Sequence, residues 1–142
     1  MIEKIMTREK IDSILKDVVD NFEYTPDPMR YDVADCWRVM KEKPYKGDCE
    51  DFSLTVLYNL SNRSYWKMFW YLLTGRAKIH YVTINDAGHA VLRWELYYTD
   101  NITKKWVARY QMDDLGFRFH QSSSFWIHHV IYRLFIKRKL DI

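Results

Sequence analysis

The sequence predicts an α+β fold in which N-terminal helices pack on a C-terminal antiparallel sheet. Two observations carry this. Apolar residues recur at helical spacing through the first half of the chain and at a period of two in the second. Short turn-forming stretches join the alternating runs, which makes the second half a meander.

In the first half, residues 2–22 read as a helix. Ile11, Ile14, Leu15, Val18, Val19 and Phe22 fall on one face of a 3.6-residue period. Thr25-Pro26-Asp27-Pro28 stops it, because a proline disfavours helical backbone at the residue before it. A short helix is expected from Asp32 to about Met40, with Val33, Trp37 and Met40 on one side; Cys36 within it reads as a small buried hydrophobe. Lys41 to Gly47 reads as a loop. The next helix runs from Asp48 to Leu60 and buries Phe52, Val56, Leu57 and Leu60. Asp48 can cap its first amides, and Asp51 can reach back to complete a capping box. Ser61 to Ser64 is a turn. Tyr65 to Thr74 forms another helix, ended by Gly75. It is apolar almost all round, so it is either buried on both sides or partly a docking surface.

In the second half, Ala77 to Ile84 reads as a strand and Asn85 to Gly88 as a turn. His89 to Tyr98 is a second strand, in which Ala90, Leu92, Trp94 and Leu96 alternate with His89, Val91, Arg93 and Glu95. Thr99 to Lys104 reads as a hairpin loop and Lys105 to about Asp113 as a third strand. Phe117 to Gln121 is a further strand candidate, and Ser122 to Ser124 a loop or helix cap. Phe125 to Ile136 reads as an aromatic helix ahead of Lys137-Arg138-Lys139.

The 142 residues fit one domain, 1–142, with 48% hydrophobic and 29% charged residues, a globular balance. Aromatics reach 17%, which suits a core rich in large rings or an interaction surface. A net charge of +3 is too small to argue for a nucleic-acid partner. Two cysteines do not make a disulfide framework. Without a signal-peptide pattern or a run of apolar residues long enough to span a bilayer, a cytoplasmic location is expected. The 122–142 segment reads as a terminal helix with a basic end. Phe125 to Lys139 could also lie on an anionic membrane surface or dock a partner.

The chemistry gathers at Cys49. A thiol in the first turn of a helix meets free amides and the positive end of the helix dipole, both of which favour a thiolate. Asp48, Glu50 and Asp51 push the other way. A reactive Cys49 therefore needs a positive partner, and an imidazolium is the obvious one. His89 opens a strand. A hairpin turning near residue 101 would set Asp113 or Asp114 opposite it, within reach of the distal ring nitrogen, with Gln111 as an amide substitute. No Cys or His spacing matches paired zinc ligands, so no metal and no cofactor are expected. His80, His120, His128 and His129 read as structural or surface residues.

Gly47-Asp48-Cys49-Glu50-Asp51-Phe52 resembles the nucleophile motif of the bacterial transglutaminase-like cysteine peptidases. Gly88-His89-Ala90-Val91-Leu92 is similar to their histidine motif. Met112-Asp113-Asp114-Leu115 resembles their aspartate motif, with Asp114 where asparagine is usual. The order Cys, His, Asp matches too, and the resemblance covers roughly residues 30–115. It implies a transglutaminase-like, papain-like cysteine-protease fold and a Cys49–His89–Asp113 triad. It also implies acyl transfer on a protein or peptide amide, by hydrolysis or by transamidation. The Cys49 backbone N–H is the natural oxyanion donor, and Trp37 or Tyr45 are candidates for a second. A non-enzymatic binding module on the same fold is the alternative.

Overall fold

The computed structural model describes residues 6–25, 37–124 and 127–136. Helix α1 (Arg8–Asp20) starts where the Thr7 hydroxyl accepts the Lys10 N–H, and it buries Leu15 and Val18. It stops two residues short of the expected end. Phe22–Tyr24 instead form strand β1, paired in parallel with β2 (Tyr45–Gly47) inside the expected loop. Phe22, partly buried, still packs against the core, edge-on to Phe52 with ring centroids 5.0 Å apart.

Of the helix expected over 32–40, residues 32–36 lie outside the described residues. Residues 37–40 are irregular. Their amides find tertiary partners instead: Arg38 N–H donates to Asp51 Oδ1 at 2.8 Å and Met40 N–H to Thr55 Oγ1 at 2.9 Å. The segment is thus strapped across helix α2 (Cys49–Leu60). Helix α3 (Tyr65–Thr74) is capped by Ser64 and closed by Gly75, whose φ of +82° suits a residue without a Cβ.

Strand β3 (Ala77–Ile84) and strand β4 (Ala87–Trp94) form a hairpin around Asn85-Asp86, both with positive φ. The second expected strand is broken. Glu95, at φ +55°, and Leu96 make a tight turn into strand β5 (Tyr97–Thr99). The hairpin therefore folds back six residues earlier than expected, and every downstream register changes. The expected strand over 105–113 is a single bridge from Val107 to Tyr98, followed by helix α4 (Arg109–Asp114). Strand β6 (Arg118–Ser124) completes an antiparallel sheet of order β5-β4-β3-β6. Helix α5 (Ile127–Ile131) follows and widens into a π-turn over Tyr132–Ile136.

The molecule is therefore α+β, with helices and a four-stranded antiparallel sheet. One sheet face carries Ala77, Ile79, Ala90, Leu92 and Trp94 into a core shared with α1, α2 and α3. The other carries Val82 and Val91 onto Tyr98, Val107, Met112 and Phe117. None of the helices among the described residues is long and apolar enough to cross a membrane.

Candidate active site

Helix α2 starts at the edge of the sheet, and its first turn is fixed before any chemistry is considered. Asp48 Oδ1 accepts the Asp51 N–H at 3.2 Å and Asp51 Oδ2 accepts the Asp48 N–H at 3.3 Å, a reciprocal capping box. Asp51 is fully buried and also holds the 37–40 strap. Two of the three acids beside Cys49 thus serve the backbone.

β5 pairs only with Leu92–Trp94, so β4 has an open edge before Leu92. There the Ala90 N–H donates to Cys49 Sγ at 3.4 Å. The thiol therefore lies against the residue that follows His89. His89 is buried on the opposite sheet face from Ala90, its ring 5.9 Å from that of Phe117.

His89 Nε2 meets Asp100 Oδ2 at 2.6 Å, a short contact of the charge-assisted kind. Asp100 is fully buried and its other oxygen accepts the Thr103 N–H at 3.0 Å. With Nε2 committed to Asp100, Nδ1 is the ring nitrogen left for proton transfer. Asp100 was expected in the loop of a hairpin. It falls beside His89 because β5 ends at Thr99, one residue before it.

The other expected orienters lie elsewhere. Asp113 sits exposed on α4, 3.5 Å from the Arg109 guanidinium, and Asp114 is exposed beside it. The Gln111 side chain accepts the Ala108 N–H at 2.8 Å, capping α4. All three were assigned by a register that the Glu95-Leu96 turn removes. Trp37 and Tyr45 are buried in the strap and in β2, with the Arg133 guanidinium 5.5 Å from the Trp37 ring.

The resting sulfur is a neutral thiol. Burial pushes its pKa up strongly, and the Glu50 and Asp48 charges push the same way; only the Ala90 N–H opposes them. The thiol donates to Glu50 Oε2 at 3.2 Å. Glu50 is itself raised to about 8, by burial first and by the Asp48 carboxylate second. The dipole of α2 is outweighed. Glu50 is thus the acid in contact with the sulfur, and Asp48 adds its charge from the helix cap.

His80 is lowered to about 4, by burial first and then by Arg93, Arg109 and Lys78, so it is neutral near pH 7. His120 and His128 are exposed, and the His129 side chain lies outside the described residues. Among the described residues no group of three or more His, Cys, Asp or Glu is placed to hold a metal ion. A cavity of about 660 Å³ lies between the 37–46 segment and Tyr65, Leu134 and Phe135. Neither Cys49 nor His89 lines it.

No protein-family model matches the chain, and no curated protein is significantly similar to it.

Proposed function

We propose that the chain is a thiol-dependent acyl-transfer enzyme, a cysteine peptidase or amidase with Cys49 as nucleophile, His89 as base and Asp100 as orienter. The transglutaminase-like fold suggested by the Gly47–Phe52 and Gly88–Leu92 motifs belongs to this reading, with Asp100 in place of Asp113. So does a reducing compartment such as the cytoplasm, where free thiols persist. The observation that carries the reading is the buried His89–Asp100 pair next to the residue whose amide holds the Cys49 sulfur.

In this mechanism His89 Nδ1 takes the thiol proton as Cys49 attacks an amide carbonyl. The Asp100 carboxylate stabilises the imidazolium so formed. The first-turn amide of Cys49, which has no partner within the helix, faces the developing oxyanion. Collapse of the tetrahedral intermediate breaks the C–N bond, and His89 gives its proton to the leaving amine. Water, deprotonated by His89, then cleaves the thioester and restores the thiol. A primary amine in place of that water gives transamidation.

The test is a peptide-library digest with full-length protein, Cys49→Ala, His89→Ala and Asp100→Asn. Cleavage is expected from the parent, none from Cys49→Ala or His89→Ala, and less by roughly two orders of magnitude or more from Asp100→Asn. Cleavage surviving in Cys49→Ala sinks the proposal. Incorporation of a labelled amine into a protein glutamine would move it to transamidation.

A second reading, a binding module on this framework, is favoured by one observation. Burial and Glu50 hold the thiol protonated. Iodoacetamide separates the two. Alkylation of Cys49 near pH 7 that depends on His89 supports the enzyme, and slow alkylation indifferent to His89→Ala supports the module.

A further inference from the structure

One surface remains outside that chemistry. Helix α3 turns Met68, Tyr71 and Leu72 inward and leaves Trp66 86%, Trp70 56% and Leu73 63% exposed. Positions 66, 70 and 73 follow the four-and-three spacing of one helix face, so the three side chains form a continuous apolar stripe. Lys67 is the only charged residue of the helix. The helix and π-turn over 127–136 pack beside α3. The Phe135 ring lies 5.4 Å from Tyr65 and 6.1 Å from Phe69, while Tyr132 and Phe135 stay partly exposed.

The charges of the chain are sorted along the same line. All 19 acids lie outside residues 52–85 and 115–140. Those two stretches, which include α3 and α5, hold nine of the 22 Lys and Arg. The remainder of the chain then has 13 bases against its 19 acids, a net of −6. A chain of net charge +3 is thus strongly basic where it is most apolar. In sequence, Lys137-Arg138-Lys139 follow directly on the π-turn packed against α3.

We infer that α3 and the C-terminal helix form a peripheral membrane-binding face that sets Trp66, Trp70 and Leu73 into the surface of an anionic bilayer. Tryptophan favours the headgroup boundary, where its ring is buried and its N–H stays wet. An apolar stripe flanked by bases is the pattern of helices lying in that plane. The stripe lines neither described cavity and includes an aliphatic residue, Leu73. A single-stranded nucleic acid would want rings set in a basic groove. The inference is independent of Cys49.

The test is co-sedimentation of the full chain with vesicles of phosphatidylcholine alone and of equimolar phosphatidylcholine and phosphatidylglycerol, read with tryptophan emission. Binding is expected on the anionic vesicles, with a blue shift, and at least about tenfold weaker binding on the neutral ones. Trp66→Ser with Trp70→Ser should cost about tenfold or more, as should Lys137→Gln, Arg138→Gln and Lys139→Gln together. The exposed Trp66→Ser alone, with an unchanged melting curve, keeps the loss attributable to the surface. Cys49→Ala should bind like the parent. No binding to anionic vesicles overturns the inference, as does equal binding by the tryptophan variants. Tighter binding to oligothymidylate than to anionic vesicles at the same ionic strength overturns it in favour of a nucleic-acid partner.

Discussion

Glu50 and Asp100 are carboxyl groups hydrogen-bonded to the two side chains proposed as nucleophile and base, and their surroundings differ. Asp100, fully buried, accepts from an imidazole and a backbone amide, so its charge has donors to meet it. In the proposed mechanism it holds the His89 ring in orientation. Glu50 faces a thiol and another acid, and its charge makes a thiolate harder to form. An acid near a catalytic centre is therefore neither activating nor silencing by itself. What matters is whether its neighbour gains or loses charge in the reaction.

The largest effect should come from breaking the favourable half. Asp100→Ala leaves His89 buried without its partner and frees the Thr103 amide, a loss of about 3 kcal/mol or more in unfolding free energy. Urea unfolding measures it. A change under 1 kcal/mol would mean that the pair is not held in solution as it is here.

Next is Asp51, which accepts from two backbone amides, one in the strap and one at the helix cap. Asp51→Ala removes acceptors from the Arg38 and Asp48 amides, and about 1–3 kcal/mol is expected. The loss should come with faster amide exchange at Arg38. Unchanged protection there would show that the 37–40 strap is held by other contacts.

How much of this was legible in the sequence follows from the same residues. Gly47 to Phe52 was readable because its structure is local. A capping box needs only Asp48 and Asp51 three residues apart, and the helix it starts places Cys49 in the first turn whatever the rest of the chain does. The Asn85-Asp86 hairpin was readable because asparagine and aspartate tolerate positive φ. The Glu95-Leu96 turn was not. Neither residue marks a turn, and the period of two runs on through it, with Leu96 reading as a buried position although it is 81% exposed. That one turn shifts the register, so the sequence reading sets Asp113 beside His89 where the structure has Asp100. A signal for Asp100 was present. An aspartate three residues before Thr103 can bond that residue's amide and close a local turn, which ends a strand rather than a hairpin loop.

Glu50→Gln tests the unfavourable half. The charge that raises the thiol is removed, so the pH midpoint of Cys49 alkylation should fall. The rate at pH 8 should rise about tenfold for each unit of that fall. Stability carries the same information. The Glu50 carboxyl lies above its ordinary value of 4.5, at about 8, so the folded chain binds that proton more tightly than the unfolded one. Its contribution is complete below about pH 4.5 and is lost as the pH rises through about 8. Urea midpoints of parent and Glu50→Gln between those limits should converge at one end and diverge at the other. Parallel curves would remove Glu50 from the account.

The smallest effect is the most discriminating between Asp100 and Asp113. Asp113 makes one exposed contact, to Arg109 one helical turn away, at 3.5 Å. Such a pair is screened and its side chains are mobile, so Asp113→Asn should change unfolding free energy by less than about 0.5 kcal/mol. It should also leave the pH profile of Cys49 alkylation where it was, because the Asp113 side chain is exposed and turned to Arg109 rather than to His89. The register read from the sequence makes the opposite forecast. With Asp113 opposite His89, the same substitution would weaken the base and slow alkylation near neutral pH. Running Asp113→Asn beside Asp100→Asn therefore decides between two positions of one turn. If the Asp113 variant alone perturbs the thiol, the strand continues through Glu95 in solution and Asp100 returns to a loop.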